Sequence, residues 1–351
     1  MTFKLKIRPP ANNTLGQLSV KYKKTPLSLC TELSRAFPEI DWSTKDLFHI
    51  YNNHRLPFGH LITTDRMNNM KTHFFKSVEP EFLCNQKLAN EVARFCAQYC
   101  NYIVNPCTRP KTLEWKGVTF CIEYSLWENL GQIPLDPNYF KDIGKDLAFL
   151  HRKLRDFPKR NLIKRNSEIY FKKLNSSWSD LLNYQHIELP GPDPKQLQKI
   201  LQLPTIDFRQ LLKNAQPLHG DLNNGNALWS LASNKIRILD FEETIRTYLS
   251  PVFDLALFIE RNILVRISDN PSLAIACGRE FLRGYQMAGG LVDREEDLHR
   301  ILIWINQRAL CLNAMCEMFE YPMPRTEWNK FFTRVKQISE EKSILSAIWA
   351  G

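Results

Sequence analysis

Between Leu218 and Glu243 the chain reads LHGDLNNGNALWSLASNKIRILDFEE, and three oxygen-bearing side chains in it are spaced for one piece of chemistry. Asp221 follows His219 and Gly220, and Asn226 comes five residues later on what reads as a loop. A strand pair then ends in Ile236-Arg237-Ile238-Leu239, and Asp240-Phe241-Glu242 closes it. Transfer of a phosphoryl group needs a carboxylate that takes or orients the proton of the attacking hydroxyl, and oxygen ligands that hold magnesium on the triphosphate. A loop carboxylate, a loop amide and a carboxylate at a strand end supply that set. The spacing follows the catalytic-loop and D-F-G segments of kinases, with Glu242 where glycine would stand. The structural alternative has Asp221 and Asn226 capping a turn and Asp240 merely ending a strand. The nineteen-residue interval from H-G-D to Asp240 favours the chemistry.

These residues need elements to position them. Apolar periodicity predicts a helix at 27–37, and strand-like runs follow at 47–53, 60–64 and 72–78. A helix at 83–99 comes next, then strands at 111–115 and 118–124 around the turn at Lys116-Gly117. The expectation is a five-stranded antiparallel sheet with one inserted helix. After Tyr124 the pattern turns helical: Ile143, Leu147, Leu150 and Leu154 share one face of 137–155, and Pro158 ends the run. LPGPDPK at 189–195 separates two further helical segments, and from Asp254 onward the pattern is helical almost throughout. The fold class expected is α+β with two lobes, an antiparallel N-terminal sheet and a mainly helical C-terminal lobe. Residues 1–44 form an extension, 45–124 the sheet lobe, and 125–351 the helical lobe with an insert at 156–215.

At 351 residues and 44% hydrophobic content, the chain has the length for two lobes and an ordinary globular composition. MTFKLKIRPPANN lacks the apolar core of a signal peptide, and runs such as 253–265 are broken by charge short of a membrane span. A soluble cytoplasmic protein with no membrane partner is expected. Nine scattered cysteines argue for reduced thiols, and Cys96, Cys100, Cys107 and Cys121 lack the paired spacing or nearby histidine of a zinc site. The net charge of +10 would suit an anionic partner. Much of it sits in 152–173 (RKLRDFPKRNLIKRNSEIYFKK) without the aromatic interleaving of a nucleic-acid module, so a solvated helix face is the expected reading and nucleic acid is not an expected partner.

On the loop motif, its spacing and the strand-end aspartate, the sequence resembles the aminoglycoside phosphotransferase and choline kinase family of the protein-kinase-like superfamily. The resemblance covers 215–260 most specifically and extends over 45–156. It implies that Asp221 is the catalytic base, that His219 holds the loop, and that Asn226 and Asp240 bind Mg2+. It further implies a strand lysine on the α- and β-phosphates, matched by Lys76 in HFFKSV, and a glutamate on the following helix that orients it, matched by Glu91. Gly59, in NNHRLPFGH, is the match for the phosphate-covering loop, where a missing Cβ lets backbone amides approach a phosphate. Backbone groups near Glu123 and Ser125 stand where the family's hinge holds the adenine. Asp254 matches a second aspartate that braces the loop or caps a helix. The donor is ATP or GTP, which nothing in the sequence separates.

Thirteen residues separate Asp240 from Asp254 and no A-P-E follows, which leaves little room to dock a peptide and favours a small hydroxyl acceptor. Its identity stays open among aminoglycosides, amino alcohols, sugars and nucleosides. Carboxylates at Glu242, Glu243, Glu260, Glu317 and Glu320 could hold ammonium groups, and Trp304, Phe319 and Tyr321 could hold a quaternary amine. Other readings compete: a nucleotide-binding pseudokinase or scaffold, a basic nucleic-acid-binding protein, and a kinase-like enzyme acting on a protein or other macromolecule. Glu242 also predicts a metal-binding segment that keeps one conformation, since it lacks the freedom of glycine there.

Overall fold

The computed structural model describes residues 22–24, 27–40, 42, 45–50, 60–65, 73–78, 82–115, 117–126, 130–183, 194–292, 298–318 and 323–350. Along the chain these form β1 (Tyr22–Lys24), α1 (Leu27–Ala36), β2 (Lys45–Ile50), β3 (His60–Asp65), β4 (His73–Val78), α2 (Leu83–Ala97), β5 (Lys111–Trp115), β6 (Val118–Leu126) and β7 (Leu130–Gly131). Then come α3 (Pro137–Arg155), α4 (Arg160–Asn183), α5 (Pro194–Leu201), β8 (Gln216–Pro217), β9 (Ala227–Ser230), β10 (Lys235–Ile238) and β11 (Tyr248–Leu249). The chain closes with α6 (Val252–Asn262), α7 (Pro271–Met287), α8 (Leu298–Met318), α9 (Arg325–Glu340) and α10 (Lys342–Ala350). It divides into two compact units. One lies within Thr14–Ile133 and Asn224–Ile245, the other largely within Pro134–Asn223 and Arg246–Gly351.

The first unit is built on an antiparallel sheet in the order β1-β2-β3-β4-β6-β5. It has six strands among the described residues, not the expected five, because Tyr22–Lys24 adds an edge against β2. Three residues are too few to show an alternating pattern in sequence. Side chains alternate across a sheet, and one face here is apolar. Phe75 from β4 and Ile122 and Tyr124 from β6 turn toward α1, whose Leu29 and Leu33 sit one helical turn apart and continue into Phe37. The rings of Phe37, Phe75 and Tyr124 lie 5.4 to 5.5 Å apart. Lys111 Nζ closes the helix end by donating to the Ala36 carbonyl at 2.6 Å. The opposite face carries Lys76 and Glu123.

The same unit includes the hairpin β9–β10, with β7 beside β9. Ile238 locks β10 against the segment after α2: its N–H donates to Tyr102 O and its carbonyl accepts from Val104 N, both at 2.9 Å. That interlock fixes the end of β10, where Asp240 follows. The unit therefore takes in residues 224–245 as well as the sheet, and β6 runs two residues beyond the expected end of the sheet lobe.

In the helical unit, Asp136 caps α3 by accepting from Asn138 N at 2.8 Å, with Pro137 opening the helix. The buried stripe of α3 contains the four expected apolar residues together with His151. α3 crosses α7 at close range through glycine. A Cβ at Gly144 would stand 2.0 Å from Phe281 O, and one at Gly284 would stand 1.9 Å from Lys141 O. This approach sets His151 against Tyr285. α4 carries most of the basic stretch, with Arg160, Lys164 and Arg165 exposed while Ile163, Tyr170 and Phe171 face inward. No helix among the described residues is long and apolar enough to cross a membrane.

Candidate active site

The loop that carries Asp221 is tied down by one buried carboxylate. Its start is held by the pair β8–β11, with Leu218 N donating to Thr247 O at 3.1 Å and Tyr248 N to Ser167 Oγ of α4 at 3.1 Å. Gly220 then turns the chain at φ +83°, a left-handed conformation that glycine adopts without a steric cost. The turn points two backbone donors the same way: His219 N reaches Asp254 Oδ2 and Gly220 N reaches Asp254 Oδ1, each at 2.9 Å. Asp254 lies in the first turn of α6 and is fully buried. His219 Nδ1 accepts from Asp221 N at 3.3 Å, and Asn262 Nδ2 donates to Leu222 O at 3.1 Å. Asn223 Nδ2 donates to Asp221 Oδ2 at 2.9 Å, which fixes one oxygen of the carboxylate.

Asp254 has a third donor. His151 Nε2 lies 3.0 Å from Asp254 Oδ2, and His151 Nδ1 lies 2.8 Å from the Tyr285 hydroxyl. A carboxylate only accepts, so Nε2 carries the proton and Nδ1 accepts from tyrosine. Burial pushes the Tyr285 phenol up, which keeps it a donor. His151 and Tyr285 were missed by sequence reasoning. The available signal was a histidine on the stripe of Leu147 and Leu154, among residues that otherwise avoid polar atoms.

In the sheet unit, Lys76 Nζ lies 2.8 Å from Asp240 Oδ1 and 2.6 Å from Glu242 Oε1. Asp240 takes φ +64°, a conformation that aspartate tolerates better than most residues. It thereby leaves the line of β10 where Leu239 N donates to Asn226 O at 3.0 Å. Asn226 is buried and sits in the same short crossing of backbone. Glu123 is directly across the ladder from Lys76 and almost wholly buried. Its two oxygens accept from Gln86 Nε2 and Asn90 Nδ2 of α2, each at 2.7 Å. Desolvation pushes its carboxyl up to about 7, against the opposing pull of the Lys76 ammonium.

The other sequence-assigned residues have these surroundings. Asp240 and Glu242 place carboxylates on Lys76. α2 turns Gln86 and Asn90 to the sheet, and Glu91 stands about 100° round the helix from Asn90. Glu123 and Ser125 fall inside β6. Tyr124 O accepts from Cys107 N at 2.8 Å, so by alternation the backbone groups of Glu123 and Ser125 point to β4, where they pair with Lys76 and Phe74. Glu260 is sealed in the helical core, 3.1 Å from Asn306 Nδ2, and burial pushes its carboxyl up. Trp304 packs among Phe171, Phe208 and Phe253, within 6.1 Å of each ring. Neither presents itself to an acceptor. Gly59 and the side chains of Glu317, Phe319, Glu320 and Tyr321 lie outside the described residues.

A dication fits the donor set. Asp240 and Glu242 surround a single ammonium and leave excess negative charge, and the amide of Asn226 and the carboxylate of Asp240 offer the hard oxygens that magnesium takes. Among the described residues no three His, Cys, Asp or Glu side chains gather into a cage. Magnesium held by one or two protein oxygens completes its shell with phosphate and water.

A braced H-G-D loop and a strand-end aspartate bonded to a sheet lysine define the kinase-like class of phosphotransferase. The family model described as phosphotransferase enzyme family, APH, matches residues 92–296. That is more than half of the chain, and the chain belongs to this family: it is a phosphotransferase acting on a hydroxyl acceptor. Among solved structures it is similar to an aminoglycoside phosphotransferase from Alicyclobacillus acidocaldarius subsp. acidocaldarius DSM 446, at 12% identity and TM-score 0.51 over 90% of this chain and 94% of that one. It is also similar to the amicoumacin kinase hAmiN in complex with AMP-PNP, Ca2+ and Ami, at 14% identity and TM-score 0.53 over 89% and 92%. A spectinomycin phosphotransferase, APH(9)-Ia, in complex with ADP and spectinomycin matches at 14% identity and TM-score 0.53 over 95% and 99%. Identities this low show a shared fold. No curated protein matches the sequence significantly.

Proposed function

We propose that the protein transfers the γ-phosphate of ATP or GTP to a hydroxyl of a small molecule, with Asp221 as the base. The observation that carries this reading is the pair of backbone N–H groups, on His219 and Gly220, gathered by the buried Asp254. A turn that merely needed capping would not place three polar groups of the helical core beneath it. Asn223 holds one oxygen of Asp221, which orients the carboxylate toward an incoming hydroxyl. Asp221 takes that hydroxyl's proton as the oxygen attacks. Lys76 supplies positive charge to the α- and β-phosphates, and Asn226 and Asp240 hold magnesium. Bound magnesium offsets the charge that develops on the transferred group.

The acceptor is a small molecule because the chain from Asp240 to Asp254 is short and already structured. A brief helical turn at Glu243–Arg246 leads into β11 and then α6, with no long segment to dock a peptide. The test is nucleotide turnover coupled to a panel of aminoglycosides, amino alcohols, sugars and nucleosides. One class should raise turnover in the wild type and fail to do so in Asp221→Asn. Stimulation by a protein substrate alone, or equal stimulation of Asp221→Asn, would refute the reading.

A further inference from the structure

We infer that Glu123, on the strand facing Lys76, is the acid that aims the Lys76 ammonium at the nucleotide phosphates, with α2 supplying only the amides that hold it. This rests on the nucleotide-binding role proposed above for Lys76. Strand parity is the first observation. Phe75 enters the core beneath α1, so its neighbour Lys76 points to the other face, and Ile122 and Tyr124 do the same for Glu123. The ladder sets Lys76 and Glu123 directly opposite each other. Facing residues on one side of an antiparallel pair have Cβ atoms about 5 Å apart, within easy reach of a lysine.

The second observation is how Glu123 is held. Gln86 and Asn90, one turn apart on α2, each donate to a different oxygen of its carboxylate. Two amides fix the geometry of the group without neutralising it, and a buried carboxylate needs a cation. Lys76 is the positive group that most strongly favours its charged form. The ammonium rests on Asp240 and Glu242, but Asp240 is also a candidate metal ligand, and serving a metal would weaken its hold on Lys76. The fixed carboxylate of Glu123 would then remain opposite the lysine to aim it. Glu123 is thus a positioning residue acting through Lys76.

The bland alternative is that Glu123 only pins α2 to the sheet, in which case its loss changes stability alone. The two readings separate in a double-mutant cycle on the full-length chain, with ADP affinity read by calorimetry with and without magnesium, and folding checked by urea titration. Glu123→Gln should weaken ADP binding about tenfold in both conditions, as should Lys76→Met. The double variant should bind no more weakly than Lys76→Met, because Glu123 acts only through that lysine. Glu123→Asp keeps the charge but withdraws it from the amides, and should fall between wild type and Glu123→Gln; it serves if the glutamine variant does not fold. Wild-type affinity in a folded Glu123→Gln or Glu123→Asp, additive losses in the double variant, or loss in Glu91→Gln alone would overturn the inference. If Lys76→Met itself binds ADP as the wild type does, the nucleotide role of Lys76 falls, and the inference falls with it.

Discussion

Gly144→Ala tests the helix crossing that underlies the catalytic loop. The added Cβ would stand 2.0 Å from Phe281 O and 2.8 Å from Tyr285 N, both backbone atoms of α7 that no rotamer change can move. A carbon and a carbonyl oxygen approach to about 3.3 Å, so the helices must part by roughly 1.3 Å at this point. Overpacking of a close-packed interface costs about 1–3 kcal/mol, and parting the helices forfeits part of the dispersion contact along the crossing. A loss near 3 kcal/mol is expected by urea denaturation. There is a second, more specific effect. Tyr285 follows Gly284 at the same crossing, and its hydroxyl reaches His151 over 2.8 Å. A displacement of about 1 Å stretches that bond past hydrogen-bonding range, so the support of Asp254 loosens and turnover falls more than stability alone explains. Stability within about 0.5 kcal/mol of wild type, the range of a surface change, would refute the packing argument. Full turnover in a measurably destabilised variant would refute the link to the loop.

Other outcomes follow from the same geometry. Asp254→Ala strands the buried N–H groups of His219, Gly220 and His151, and should cost about 3–5 kcal/mol in urea denaturation; a loss below about 1 kcal/mol would contradict the bracing role. Asp221→Asn should lower turnover by about 10²–10⁴-fold while leaving ADP affinity near wild type, and comparable losses in both would argue against its role as base. Between about pH 4.5 and 7, Glu123, raised to about 7, keeps its proton in the folded chain while the unfolded carboxylate has lost it; above that it is the carboxylate that faces Lys76. Folding then takes up a proton, so this group's contribution makes stability fall as pH rises from about 4.5 to 7, by roughly 3 kcal/mol, and level off above. The stability difference between wild type and Glu123→Gln, measured at pH 5, 6, 7 and 8, should follow that curve, and a flat difference would contradict it. Glu242→Gly should free Lys76 from one carboxylate and speed proteolysis of the segment after Asp240; unchanged cleavage would show that Glu242 does not hold it.

The loop residues were legible because their separations are covalent: H-G-D, Asn226 and Asp240 stand at fixed intervals whatever the rest of the chain does. The main helices were legible for a related reason, since Ile143, Leu147 and Leu154 repeat with the helix period. Partners joined only by folding were not. Gln86 and Asn90 stand on the expected helix, but the rotation that turns them toward Glu123 depends on packing that no local pattern states. Parity along CIEYS would have put Glu123 on the face opposite Tyr124, whereas its register against Lys76 arises only when β4 and β6 pair. Glu260 and Trp304 show the same limit from the other side, because composition cannot tell a core carboxylate or core indole from one lining a site. β1, β8 and β11 span three residues at most, too short for any periodicity.

The interlock of Ile238 with Tyr102 and Val104 has a consequence for the order in which the protein can be made. The sheet unit draws on two stretches of chain, and 134–223, which fold with the helical unit, lie between them. On the ribosome the sheet strands emerge first, but the backbone groups of Tyr102 and Val104 wait for a partner until β10 has left the exit tunnel. The same holds for Leu130 and Gly131, whose partner strand is β9. A nascent chain stalled before residue 224 should therefore leave the backbone of Tyr102, Val104 and β7 without its partners and bind holdase chaperones. Release should come only after the β9–β10 hairpin has been added, rather than at the end of β6.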